Sequence, residues 1–456
     1  MNRFKNKKVL IFGLGINDGG LGMAEFFLKE GAKLTITDTK DEEYLKPTLE
    51  KLAKYGDDIT YHLGGHVEKD FVDNDIIVRN PGVRPGDRFL KMAQDAGKQI
   101  EMEMSLFHKL APCPIIGITG TKGKSTTTTL ISEFLKQKFG EKIFLGGNIG
   151  RSAIRELNGL DKDNICVLEI SSYQSKVMGE NEISSDIALV TNMYRDHLNW
   201  HPDMQDYIES KKDIFRYQDK DGILVVNMDN DITKQFPKDA PGIVKRFSLK
   251  DSSVEYYMDE DLNVYENGKK LLNIKTSILI GEHNQYNILG AIAVSRTYGI
   301  TPEQILTVLE NFKGVSGRQE LIRELNGIKF YNDTTATSVE AIEAMFKRFG
   351  SDYAKKIIMI SGGVDKGLEY GKLLPYMEEY LKKLILLEGT ASEKIMDIYP
   401  NFEGPFGDFK EAIDCAYGNA SKGDMVILCP GASSFNMFKN EFDRGDQFVN
   451  YVNSLE

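Results

Sequence analysis

The segment PIIGITGTKGKSTTTTLISEFLKQ, residues 114–137, constrains the fold of this chain more than any other stretch. A β-branched apolar run predicts a buried strand, the glycines predict a tight turn, and the residues after them predict a helix that opens with almost no linker. That succession is what a phosphate cradle requires. Gly120 and Gly123, with Thr121 and Lys122 between them, let backbone N–H groups converge on phosphate oxygens. Lys124 is long enough to reach the β- and γ-phosphates of a nucleotide, and Ser125, followed by Thr126, can place a hydroxyl on Mg²⁺ at the helix N-terminus. The strict G-x-x-x-x-G-K-[ST] spacing is not met, because the fifth position before Gly123 is Ile118. The plain alternative is a Gly-rich turn with a solvated Lys-Gly-Lys, and the strand and helix around the turn favour the cradle.

With 456 residues the chain exceeds what one hydrophobic core organises, and three domains are expected. From Lys8 onward, short apolar runs (KVLIFG, KLTITD, DIIVRN) alternate with amphipathic stretches, the rhythm of βα units around a parallel sheet. Ala111-Pro112-Cys113-Pro114 is a stiff connector incompatible with helix, so a first domain is placed at 1–110. A second runs over 111–314, through NICVLEIS, IALVTN and GILVVN to the helical run NQYNILGAIAVSRTYG, and a third over 315–456 repeats the βα rhythm. The fold class is α/β, with Rossmann-like domains at both ends of a P-loop-type ATPase domain.

An apolar fraction of 41% with no run near the ~18 residues of a spanning helix predicts a soluble protein without membrane insertion. The N-terminal MNRFKNKKVLIFGLG passes from basic residues straight into a strand-turn signal, so a cytoplasmic location is expected. A net charge of -11 argues against nucleic acid, which needs a basic footprint. Cys113, Cys166, Cys415 and Cys429 lack CxxC spacing and read as free thiols.

The loop T-G-T-K-G-K-S-T resembles the variant phosphate loop of the Mur ligase family, which includes folylpolyglutamate synthetases, and further motifs follow in order. NICVLEISSYQ resembles the family strand whose glutamate, here Glu169, helps hold magnesium. VTNMYRDHLNWH resembles the N-x-x-x-D-H segment, with His197 as the metal ligand. GEHNQYNILGA matches G-x-H-N-x-x-N and implies Asn284 and Asn287 near the adenine or its ribose, although an asparagine there can also cap a helix. VSGRQE and YNDTTATSVEA supply Arg318 and Asp333, resembling the arginine and aspartate that act on ATP from the third domain. In DYIESKKDIF the modified lysine of the family corresponds to Lys211, four residues after Tyr207 on one helix face, with Lys212 as the adjacent alternative. The resemblance implies ATP, two Mg²⁺ ions and a carbamylated lysine as cofactors, with Lys124, His197 and Lys211 as catalytic groups and Ser125, Glu169, His197 and Lys211 as metal ligands.

The ends of the chain select a branch of the family. Gly13-Leu14-Gly15-Ile16-Asn17, Thr37-Asp38-Thr39 and Arg79-Asn80-Pro81-Gly82-Val83 resemble the UDP-binding elements of the branch that adds D-glutamate to UDP-N-acetylmuramoyl-L-alanine, with Ile16, Asn17, Thr39, Asn80 and Gly82 at matching positions. Asn148 in GGNIG matches a contact to the muramoyl part, and Thr337, Lys366 and Ser434 match the D-glutamate pocket. Two positions depart: a second family lysine is Thr335 here, and the pocket phenylalanine aligns with Glu441, one residue before Phe442, which leaves the pocket aromatic open. The implied partners are small molecules only, on a monomer. Two readings compete: a folylpolyglutamate synthetase, against which the UDP-like N-terminal domain argues because that branch of the family lacks it, and a Rossmann dehydrogenase with Asp38 on a ribose, against which Asp18 occupies the third-glycine position and the downstream loop would go unexplained.

Overall fold

The computed structural model describes residues 2–456 except 17, 150, 151, 199, 278, 280, 313, 366, 435 and 436, and only the backbone of 57 and 340. Asn17 and Lys366 therefore lie outside the described residues. The chain divides into two compact units, Met1–Phe312 and Lys313–Glu456.

The first unit carries two sheets. β1 (Lys8–Phe12), β2 (Lys33–Asp38), β3 (Ile59–Leu63), β4 (Ile76–Arg79) and β5 (Gln99–Glu101) form a parallel sheet in the order β3-β2-β1-β4-β5. The order reverses direction at β1, so a crevice opens beyond the C-terminal ends of β1 and β4, the place where open α/β sheets bind ligands. β6 (Ile115–Thr119), β7 (Ile143–Gly147), β8 (Ile165–Glu169), β9 (Ile187–Val190), β10 (Ile223–Asn227) and β11 (Ile243–Ser248) run parallel in the order β11-β10-β9-β6-β8-β7. β12 (Tyr256–Met258) extends the sheet in parallel, and β13 (Asn263–Glu266) and β14 (Lys269–Asn273) finish it as an antiparallel edge. Every residue of β6, β8 and β9 is buried, because helices cover both faces of the sheet, which is why these strands read as continuous apolar runs.

Ala111–Pro114 runs between the two sheets without separating two cores. One apolar cluster reaches from Val9, Phe27 and Phe107 to Ile115, Tyr207 and Phe236.

The second unit holds β15 (Glu320–Leu325), β16 (Ile328–Asn332), β17 (Ile357–Gly362), β18 (Leu381–Leu387), β19 (Phe402–Phe406) and β20 (Met425–Leu428), ordered β15-β16-β20-β17-β18-β19. β15 is antiparallel to β16, and the other pairs are parallel. Among the described residues no helix is long and apolar enough to cross a membrane.

Candidate active site

Register assembles the central site. β6 lies between β8 and β9, pairing Ile118 with Glu169 and Thr119 with Val190, and Gly147 of β7 pairs with Glu169. The loop after β6, Glu169 at the end of β8, Thr191 after β9 and Asn148 after β7 therefore share one edge of the sheet.

The loop is fixed by that edge. Thr121 N–H donates to the Asn192 carbonyl (2.9 Å), Lys122 N–H to Asn192 Oδ1 (2.9 Å), and Thr191 Oγ1 to the Lys122 carbonyl (2.7 Å). Gly123 takes φ 84° just before the helix Lys124–Phe139, and a Cβ on it would stand 2.2 Å from Asn287 Oδ1. Only glycine fits that turn so close to the second helix, Glu282–Ser295. Asn287, 5% exposed, accepts from Thr127 Oγ1 and donates to Asn284 Oδ1 (3.2 Å), so the pair expected near adenine packs against the loop. Lys124 Nζ donates to the carbonyls of Gly120 (3.0 Å) and Thr121 (3.1 Å), and Thr126 is half-buried in the first helical turn.

Ser125 Oγ donates to Glu169 Oε2 at 2.5 Å, and Asn148 Nδ2 to Glu169 Oε1 at 3.0 Å. Asn148, expected on the muramoyl part, thus also holds the carboxylate expected to bind metal. Lys211 on the helix Met204–Arg216 is 1% exposed, donates to Thr119 Oγ1 (3.0 Å) and lies 5.1 Å from the Tyr207 ring centre, which confirms the shared helix face of Tyr207 and Lys211. Burial first, then the nearby Lys124, push its pKa well below the ordinary lysine value, against the weaker pull of Glu169 and Asp196. Lys212 differs: it ion-pairs with Glu209 (3.0 Å) and Asp239 (2.8 Å). Of the two, Lys211 is the buried one, and no ion pair holds its amine among the described residues.

His197 sits at φ 54° on the rim, its Nδ1 2.8 Å from Tyr173 Oη. Among the described residues no three His, Cys, Asp or Glu side chains gather as a metal group. The expected set needs only two such residues, Glu169 and His197, beside the Ser125 hydroxyl. Mg²⁺ keeps several waters and takes few protein ligands, mostly oxygens, so these residues fit it.

At the crevice of the first sheet, a Cβ on Gly13 would meet Asn80 Cβ at 2.9 Å, which packs the β1 turn against the segment after β4. Asn80 Oδ1 accepts from Gly82 N–H (2.9 Å), and Ile16 borders the same turn. Thr39 lines an open pocket of about 620 Å³ with Lys40, Asp41, Glu43, Tyr44 and Gly64. Asp38 accepts the N–H groups of Gly15 and Lys40, both at 2.9 Å, which ties the turn after β1 to the end of β2. Trp200 Nε1 donates to the Pro81 carbonyl (3.0 Å), and its ring lies 5.9 Å from the Arg79 guanidinium and 4.5 Å from Tyr173.

In the second unit, Asp333 follows β16, is 5% exposed and accepts from Gln319 N–H (3.1 Å), with Arg318 exposed beside it. Burial raises its pKa to about 6. Thr335, standing for the second lysine, bonds the Gly317 carbonyl through N–H (3.1 Å) and Oγ1 (2.9 Å), and Thr337 N–H returns to the Thr335 carbonyl. Ser434 is 2% exposed and its Oγ has no hydrogen-bond partner among the described residues. Phe442 is 40% exposed at the start of the helix Glu441–Ser454, whereas Phe438 packs edge-on against Phe409 in the core. Arg444 is fully buried and joins the neighbourhoods of Asp333 and Ser434, donating to Thr334 Oγ1 (3.1 Å), the Thr334 carbonyl (2.8 Å) and the Ala432 carbonyl (3.4 Å).

Sequence reasoning missed Thr191, Asn192, Trp200 and Arg444. Asn192 was legible, since it opens the N-x-x-x-D-H segment that ends at His197.

Comparison with known proteins adds an independent line. Family models described as "Mur ligase MurD-like, N-terminal domain", "Mur ligase middle domain" and "Mur ligase, glutamate ligase domain" match residues 7–101, 118–295 and 317–432. A UDP-N-acetylmuramoylalanine--D-glutamate ligase of Acetivibrio thermocellus is 38% identical, covering 100% of this chain and 98% of its own. The ligase of the same name from Roseiflexus sp. is 36% identical over 98% and 99%. Among solved structures, the UDP-N-acetylmuramate-alanine ligase of Thermotoga maritima shares the fold at TM-score 0.58 and 19% identity, covering 98% of this chain and 99% of its own. FolC of E. coli, solved with DHPP and ADP, does so at TM-score 0.56 and 17% identity over 77% and 93%. With three family models in order along it and relatives above 30% identity from end to end, the chain belongs to the Mur ligase family.

Proposed function

We propose that this chain is the ATP-dependent ligase that joins D-glutamate to UDP-N-acetylmuramoyl-L-alanine, a step of peptidoglycan precursor synthesis. The observation that carries this reading is the meeting of Lys124, Ser125, Glu169 and Lys211 at one sheet edge, in a chain matched from end to end by relatives named for that reaction. A carboxylate oxygen of the alanyl group attacks the γ-phosphorus and ADP leaves. The amine of D-glutamate then attacks the acyl phosphate, inorganic phosphate leaves, and the amine loses a proton. The first step brings two anions together, and cations must offset the repulsion. Lys124 supplies one such charge on the loop. Ser125, Glu169 and His197 would hold magnesium, which supplies charge neutralisation and orientation of the phosphates.

Lys211 fits as the carbamylated lysine. Carbon dioxide adds to a neutral amine with loss of a proton, and the burial of Lys211 favours the neutral form, whereas the ion pairs of Lys212 favour ammonium. The product is an oxygen anion suited to a second Mg²⁺. Lys366 and Ser434 are assigned to the carboxylates of D-glutamate, and the unsatisfied Ser434 hydroxyl supports this.

The test supplies purified protein with ATP, Mg²⁺ and UDP-N-acetylmuramoyl-L-alanine, offers different amino acids and follows phosphate release. D-Glutamate should be preferred, because each charge-assisted hydrogen bond left unpaired by a wrong substrate costs about 1–3 kcal/mol. Faster release with L-glutamate or meso-diaminopimelate overturns the assignment.

A further inference from the structure

Two segments assigned above to one elongated substrate stand on different sheets of the first unit. The β1 turn, Gly13 to Ile16, leads into the helix Asp18–Lys29, and Asn148 after β7 leads to Ser152–Arg155. The two helical segments are fastened by charge. Arg155 grips Asp18 with a fork, Nη2 to Oδ1 at 2.9 Å and Nε to Oδ2 at 3.2 Å, and donates through Nη1 to Glu25. Glu25 also takes Lys54 Nζ at 2.9 Å, and Asp18 Oδ2 accepts the Ser152 N–H at 3.2 Å. Behind them Glu103 accepts from Ser152 Oγ (2.6 Å) and Ile154 N–H (3.2 Å), fixing the second segment to the helix Glu103–Leu110.

Asp18 is an awkward neighbour for a uridine diphosphate ligand. It opens the helix Asp18–Lys29 directly after the β1 turn, at the helix N-terminus that would face a diphosphate, and as a carboxylate it repels one. Asp18 and Glu25 together carry two negative charges, and Arg155 and Lys54 carry two positive ones. Without Arg155 the carboxylates of Asp18 and Glu25 face only the Lys54 ammonium. Its fork also turns the Asp18 carboxylate onto the Ser152–Arg155 segment.

We infer that Arg155 acts on the UDP-bearing substrate through Asp18, cancelling the charge of that carboxylate beside the β1 turn. This inference rests on the proposed reading of the first sheet as the UDP site. Arg155→Met leaves one uncompensated negative charge beside the diphosphate. UDP binding measured by calorimetry should weaken about tenfold, the order that a unit charge roughly 6 Å from a dianion gives when water screens the pair. The KM for the UDP substrate should rise in parallel, while the KM for ATP stays within about twofold. Adding Asp18→Asn to Arg155→Met removes the repelling charge and should bring UDP affinity back to within about threefold of wild type. Asp18→Asn alone, useful should Arg155→Met not fold, should bind UDP at least as tightly as wild type. Unchanged UDP affinity in Arg155→Met overturns the inference. So does a KM for ATP that rises equally, a double variant no better than the single one, or weakened binding in Asp18→Asn. Wild-type protein that binds no UDP overturns the reading of the first sheet itself.

Discussion

Gly123→Ala puts the phosphate-loop geometry under the sharpest stress. The new methyl would start 2.2 Å from Asn287 Oδ1, well inside contact, at a residue only 5% exposed. Asn287 can yield only by abandoning Thr127 Oγ1 and Asn284 Oδ1. Those two hydrogen bonds are worth about 1 kcal/mol each. Alanine at φ 84° adds roughly 1–2 kcal/mol of backbone cost. The alternative is a loop that retreats by about an ångström, and a misplacement of that size costs on the order of a hundredfold in rate. Phosphate release should therefore fall at least about a hundredfold, with a lowered Tm. Gly140→Ala separates overlap from backbone strain. Gly140 also has positive φ, 57°, but a Cβ there meets nothing within 4 Å. At φ 57° and ψ -131° that variant should lose about 1–3 kcal/mol of stability and keep its rate. A Gly123→Ala protein with more than half of wild-type turnover, or a Gly140→Ala protein equally inactive, would refute the reasoning.

Lys211→Ala should abolish turnover, and added acetate should restore part of it by placing a carboxylate near the vacated position, whereas Lys212→Ala should keep most activity; near-normal turnover of Lys211→Ala removes it from the mechanism. Asp333 gives a pH test. Its folded pKa, raised to about 6 from an ordinary 3.8, means that the folded state holds the proton more tightly. The stability it contributes is present below pH 3.8 and lost as the pH rises through 6. Asp333→Asn should therefore stabilise the protein more at pH 8 than near pH 4, on the order of 2 kcal/mol by thermal unfolding, and lower phosphate release at least about tenfold. An equal gain at both pH values would show that the carboxyl is not buried as described.

The parallel strands were legible because burial on both faces makes them apolar throughout, as in the IIGIT of β6 and the ICVLE of β8. The antiparallel edge β13–β14 was not, since its short strands mix polar and apolar residues. Its one clear signal is Asn267-Gly268, whose φ angles of 49° and 75° suit a hairpin turn. In the site, residues with a local signature such as Lys124 and Glu169 could be read directly. What the sequence hides is partnership over long separation. Asn148 on Glu169, Asn192 under Lys122 and Arg155 on Asp18 join residues that only the sheet order brings together. The burial that distinguishes Lys211 from Lys212 is likewise a property of packing, invisible in a run of two identical side chains.

Trp200 is the single tryptophan of the chain. Its indole N–H is held by Pro81 beside Asn80 and Gly82, while its ring rests on Tyr173, the partner of His197. All indole fluorescence of the protein therefore originates where the segment assigned to UDP touches the segment assigned to metal. Emission wavelength and quenching at this spot report, without any label, whether those two segments remain docked as nucleotide and UDP substrate are added in turn.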